Sequence, residues 1–253
     1  MEFLELDGAR LEFRLWPGSG KTGLALLHEG LGSVSMWRDF PERLRAASGL
    51  PVFAWSRRGY GGSSPAPQPW PVGYMHEEAR RFLPPVLQAS GFEKFVLIGH
   101  SDGASIAAIY AGEHPEPGLR GLVLMAPHFF VEDVSTASIV QARVAYETGD
   151  LRRGLERHHG DNIDGAFWGW NRVWLDPAFR DWDIQAHLRN IAVPTLLIQG
   201  ADDEYGTLAQ IEAAQSAIEA PTTLVILTAC RHSPHRDQTE ATVQAILAFL
   251  AGL

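Results

Sequence analysis

The pattern of apolar and polar residues changes character along the chain. Residues 3–6 and 11–16 alternate apolar and polar side chains around Asp7-Gly8, which predicts a β-hairpin with one face against a core. Unbroken apolar runs follow at residues 24–27, 51–55, 95–98 and 122–125. Short runs without alternation predict strands buried on both faces, as in a parallel sheet covered by helices. Between them, residues 36–47, 74–90 and 104–113 carry helical spacing, and Pro84-Pro85 is expected to kink or divide the second of these helices. From His128 to about Asn190 no such run occurs, and helices are predicted over 134–148, 151–159 and 163–174. The strand and helix rhythm then resumes at 195–198, 208–218, 223–227 and 239–250.

This order predicts an α/β fold, a doubly wound and mostly parallel sheet with right-handed crossovers. The expected organisation is a core over 1–127, an inserted helical cap over 128–190, and the rest of the core over 191–253. The insertion should lie over the C-terminal strand ends, where such sheets place their sites.

Composition narrows the function classes. The chain has 253 residues, 45% of them hydrophobic and 20% charged, which fits one large globular domain. A net charge of −9 argues against nucleic acid as a partner, although Arg57-Arg58 is a local basic patch. Cys230 is the single cysteine, so no internal disulfide forms. No basic and apolar leader is visible at the N-terminus, and no apolar run approaches the ~18 residues a bilayer span needs, so a cytoplasmic protein without membrane contact is expected. Four of the eight tryptophans, Trp168, Trp170, Trp174 and Trp182, cluster within the helical insertion. Oligomeric state is not encoded in any of these patterns.

The chemistry concentrates at Gly99-His100-Ser101-Asp102-Gly103, between the strand at 95–98 and the helix at 104–113. G-x-S-x-G in that context describes a sharp turn that lifts a serine hydroxyl above the sheet edge. The alternative is an ordinary helix start with Ser101 as N-cap. A serine nucleophile requires a base and an orienting acid, in the chain order serine, acid, histidine. Asp202-Asp203-Glu204 follows one later strand, and the loop carrying His232 and His235 follows the next. A metal site at His232-Ser233-Pro234-His235 is disfavoured, because Pro234 opposes the helical placement that would bring both imidazoles to one face.

With these motifs in this order, the chain resembles the α/β-hydrolase fold superfamily of serine hydrolases with a helical cap, over essentially its whole length. The resemblance selects Asp203 as the acid, the third residue after the strand-ending Gly200, and His232 as the base. It places one oxyanion donor on the Asp102 amide and the other in His28-Glu29-Gly30-Leu31-Gly32. Aligning on His28 makes Gly30 that donor, and a shift of one makes it Leu31. Glu29 stands where the family usually has glycine, and its expected role is structural. Ser56-Arg57-Arg58-Gly59-Tyr60-Gly61-Gly62-Ser63 resembles another family loop with Ser56 in place of an aspartate, its arginine tied to backbone carbonyls.

The implied chemistry is hydrolysis of a small to medium ester, thioester or lactone with an apolar or aromatic body, with no metal or organic cofactor. Leu31, Trp37, His128, Phe129, Trp168, Trp170 and Tyr205 are the candidate pocket residues, with packing of the cap as the competing role for its aromatics. Three other readings remain: a C–C hydrolase of vinylogous keto acids, which needs a cationic site near the pocket, a cofactor-free oxygenase or lyase, and a non-catalytic binding module.

Overall fold

A computed structural model describes residues 2–114 and 116–253. The hairpin forms as β1 (Glu2–Leu6) and β2 (Ala9–Trp16), and β3 (Thr22–Leu27) follows. A 3-10 turn at Val34–Trp37 precedes α1 (Phe40–Ser48). The helix expected over 36–47 therefore starts late, because Arg38 takes a positive φ of 55° and Pro41 opens the first turn of α1. After β4 (Val52–Trp55) come α2 (Tyr74–Glu77), a π-helical turn (Glu78–Phe82) and α3 (Leu83–Ser90). Pro84 and Pro85 thus sit in the first turn of α3, directly after the π-helical turn, in a helical segment that runs on from Tyr74 without a gap.

The nucleophile region forms as β5 (Lys94–His100) and α4 (Asp102–Glu113), followed by β6 (Leu119–Met125). The insertion holds α5 (Asp133–Glu147), α6 (Asp150–His159) and α7 (Ile163–Trp174), then α8 (Gln185–Leu188). The chain ends with β7 (Thr195–Gly200), α9 (Leu208–Ala217), β8 (Thr222–Leu227), α10 (Pro234–Asp237) and α11 (Thr239–Leu250). The sequence pattern did not predict α10 or α8, each only four residues long.

One eight-stranded sheet has the order β1-β2-β4-β3-β5-β6-β7-β8. β2 pairs antiparallel with β1 and with β4, and every pair from β4 to β8 is parallel. Phe95 and Leu97 pack on one face, while Val96 and Ile98 pack on the other, so two apolar layers enclose the strands. The chain leaves β3 for β4 on one side and returns to β5 on the other. Such a switch point opens a crevice at the strand ends, and here it separates the loop after β3 from the turn after β5.

The helical insertion is pinched at its neck by an antiparallel bridge between Phe130 and Asp183 and by Ile184 N–H donating to Phe129 O at 2.8 Å. Beyond the neck α8 packs on α4 so closely that a Cβ on Gly112 would lie 2.3 Å from His187 O. Among the described residues, no helix is long and apolar enough to cross a membrane.

Candidate active site

Ser101 sits at the N-terminus of α4 with φ 51° and ψ −119°, a strained conformation for a residue with a Cβ. Its neighbours make that turn possible only as glycines. A Cβ on Gly99 would lie 2.4 Å from Gly103 O, and one on Gly103 would lie 2.1 Å from Leu27 O. The serine makes no side-chain capping bond to its helix. Its Oγ instead lies 2.9 Å from His232 Nε2.

His232 is carried by the loop after β8, and its Nδ1 lies 2.9 Å from both carboxylate oxygens of Asp203, in the loop after β7. Asp203 is itself held by the N–H groups of Tyr205 at 2.8 Å and Gly206 at 3.2 Å, and by Gln199 Nε2 at 2.7 Å. Burial opposes charge on Asp203, but the hydrogen bond and charge of His232 and the Tyr205 N–H outweigh it and hold the carboxyl below its ordinary range. On His232, burial pushes downward, and Asp203, Glu204 and Glu29 more than compensate, so its pKa is raised. An imidazole so placed holds its Nδ1 proton toward Asp203 and turns a bare Nε2 to the serine.

His235 does not reach the serine. It is fully buried against Trp37 and Phe40, with ring centroids 4.8 and 5.5 Å away. Asp202 and Glu204 are likewise off the imidazole ring, although the Glu204 carboxylate accepts the His232 backbone N–H at 3.2 Å.

The loop after β3 is fastened from behind. Arg57 N–H donates to His28 Nε2 at 3.1 Å, and the guanidinium donates to His28 O at 2.9 Å and Glu29 O at 3.1 Å. These bonds fix His28 as the neutral Nδ1–H tautomer, whose Nδ1 lies 2.7 Å from Glu29 O. Burial, with the positive charge of Arg57, lowers the His28 pKa well below its usual value. Arg57 is only 3% exposed, so its guanidinium is engaged with the loop and not offered to a substrate. The missing aspartate at position 56 has a substitute from β2: Glu12 accepts from Ser56 Oγ at 2.8 Å and from Gly62 N–H at 2.9 Å.

A cavity of ≈ 110 Å³ opens onto Ser101 and His232. Gly30, Leu31, His128, Trp170 and Tyr205 line it, as does Asp102. The fit at Gly30 is close, since a Cβ there would fall 2.3 Å from Trp170 Nε1. Trp37, Phe129 and Trp168 are placed elsewhere. Trp37 and Phe129 are buried in the core at 1% and 0% exposure, and Trp168 packs half-buried on Phe167 and Tyr146. Ile139 and Ser135, one helical turn apart on α5, line the cavity without having been singled out in the sequence. Their spacing on one apolar face was the available signal, and nothing local distinguished cavity from core. Trp174, also lining, donates its Nε1–H to Tyr74 OH at 3.1 Å.

Both carboxylates and imidazoles line the cavity. Glu29 and Asp102 contribute carboxylates, and no Lys or Arg is among its described lining residues. Burial raises the Asp102 pKa against the opposing Arg57 charge, at 3.9 Å, and a hydrogen bond from Tyr74 OH. Burial also drives His128 down to about 3, keeping it neutral. No cluster of three or more His, Cys, Asp or Glu side chains suited to a metal ion occurs among the described residues.

Residues 15–245 match the sequence profile of the alpha/beta hydrolase family. The chain belongs to this family. As an alpha/beta hydrolase it is 27% identical to human serine hydrolase BPHL over 207 residues, covering 78% of this chain and 68% of the relative. It is 25% identical to a proline iminopeptidase of Levilactobacillus brevis over 222 residues, covering 72% and 73%. A crystal structure of a hydrolase from Pseudomonas aeruginosa superposes with a TM-score of 0.75 at 25% identity, covering 98% of this chain and 97% of that one.

Proposed function

We propose that this alpha/beta hydrolase is a serine hydrolase cleaving a small to medium carboxylic ester, thioester or lactone. The observation that carries the reading is the unbroken contact from Ser101 Oγ through His232 to Asp203, each step 2.9 Å. Ser101 Oγ attacks the carbonyl carbon while His232 Nε2 takes its proton. The tetrahedral oxyanion is held by backbone N–H groups, that of Asp102 at the first turn of α4 and that of Gly30 or Leu31 opposite. Collapse breaks the bond to the leaving group, which takes the proton from His232. Water, deprotonated by the same nitrogen, then attacks the acyl-enzyme and releases the acid. Asp203 keeps the tautomer and stabilises the imidazolium, and no cofactor enters.

The helical segment acts as a cap, with Ile139, Trp170 and Trp174 giving the cavity an apolar wall. Glu29 faces His100 and Asp102 faces Arg57, so the lining favours neutral substrates. No Lys or Arg stands among the described lining residues to hold a substrate carboxylate, which counts against the C–C hydrolase of keto acids.

A fluorophosphonate probe with mass mapping should modify Ser101 and leave Ser101→Ala unmodified. Failure to label Ser101 in the folded protein would overturn the reading. Turnover of p-nitrophenyl esters, aryl esters, lactones and acyl thioesters of graded acyl length would then define the substrate, with short neutral acyl groups expected to lead.

A further inference from the structure

His100, directly before the nucleophile, is 1% exposed, and both its ring nitrogens face acceptors. Nε2 lies 2.7 Å from the backbone carbonyl of His232, and Nδ1 lies 3.4 Å from Glu29 Oε2. A neutral imidazole carries one N–H and can satisfy only one of these oxygens. We propose that His100 is a positioning residue for the His232 base: paired with Glu29 as an imidazolium, it clamps the His232 carbonyl and so sets where the reactive Nε2 meets Ser101. The inference rests on the serine hydrolase reading for its catalytic consequence, and on geometry alone for the charge state.

The surroundings of His100 agree with the pair. The His235 ring packs at 4.8 Å and the His232 ring at 5.2 Å, with Trp37 at 6.5 Å. Burial holds His235 well below its usual range and takes His128, whose ring packs on the other side of His232, down to about 3. Both are neutral, as is His232 when it serves as base. Among the described residues, Glu29 is then the charged side chain in contact with His100. Burial opposes charge on Glu29, yet the hydrogen bond and charge of His100 hold it far below the ordinary carboxylate range. The His232 loop is gripped from two directions, by His100 at the carbonyl and by Glu204 at the N–H. The glutamate that departs from the family's glycine thereby gains a role, and so does the residue at the first variable position of G-x-S-x-G.

Nitrogen NMR of protein labelled with [15N]histidine, assigned with His100→Gln, reads the charge state directly. Both His100 nitrogens should carry protons at about pH 7.5, since each faces an oxygen acceptor. One bare nitrogen at that pH overturns the pair. Kinetically, His100→Leu should lower kcat by about 10- to 100-fold with KM little changed, the scale expected when a reacting group is misplaced without loss of binding. In the double variant E29Q/H100Q a glutamine amide stands near the position of Nε2, and most of kcat should return. A folded His100→Leu protein with unchanged kcat would refute the positioning role.

Glu29→Gln alone supplies an independent readout, because it replaces a neutral ion pair with a neutral hydrogen-bonded pair. The acid limb of kcat/KM should stay in place. If His100 were uncharged, the variant would remove a net negative charge near His232 and shift that limb to lower pH by about a unit or more. Should the wild-type protein fail to label with fluorophosphonate, the serine hydrolase reading falls, while the NMR result still decides whether the ion pair exists.

Discussion

At the level of single residues, Asp203 illustrates how much a side chain contributes through a hydrogen bond that never touches substrate. Asn in its place offers an N–H to His232 Nδ1, forces the proton onto Nε2, and leaves no lone pair facing Ser101. Asp203→Asn should therefore lower kcat by about 10³- to 10⁴-fold with an intact fold, checked by ester hydrolysis and circular dichroism. Ser101, Asp203 and His232 were candidates from sequence because each follows a strand end, and the fold brings the three side chains into hydrogen-bond contact. Trp37 and Phe129 had the same kind of address and went into the core. Loop position says where a backbone passes, whereas the direction of a ring is set by what it packs against. In these two cases that is His235 with Phe40, and the apolar layer under α4.

For the elements, the strand, turn and helix around Ser101 are held by close backbone approach. Gly103 touches the end of β3, with Leu27 O 2.1 Å from where a Cβ would sit. Gly103→Ala should destabilise the fold by about 1–3 kcal/mol through overpacking, which thermal unfolding would register as a fall in Tm of about 2–4 °C per kcal/mol for a chain of this size. The strands and main helices were readable because apolar periodicity survives in every long element. Less visible was the π-helical turn at Glu78–Phe82, which lies directly before Pro84-Pro85 in a segment where the pattern alone allowed either a kink or a break. The four-residue helices α8 and α10 carry too few turns for a period to show.

The whole molecule buries an unusual set of histidines. His28, His128, His159 and His235 all have lowered pKa values, first of all through burial, and are neutral in the folded state. Below about pH 6.5, the ordinary histidine value, the unfolded chain binds protons that these residues refuse, for His128 down to about 3. Stability therefore falls as pH drops through that window, by up to about 1.4 kcal/mol per pH unit for each such group. Glu78, held up to about 7 by burial, and Asp102, also raised, favour the folded state at lower pH and offset part of the loss. The raised His232 contributes stability that is complete below 6.5 and is lost only as pH rises through its folded value. With four buried neutral histidines against Glu78, Asp102 and His232, Tm should fall between pH 7 and 5, measured by calorimetry. A Tm that rises on acidification would contradict the burial of these groups as neutral rings.

The sequence by itself determined the sheet, the order of its strands and helices, and the three loops that carry serine, acid and histidine, because apolar periodicity and glycine spacing are local signals. Only the tertiary structure decided which aromatics face the cavity, that Arg57 fastens the loop after β3 while Glu12 replaces a missing aspartate, and that Glu29 meets His100. Those outcomes depend on side chains from segments far apart in the chain competing for the same space and the same protons, and no local pattern records the result of that competition.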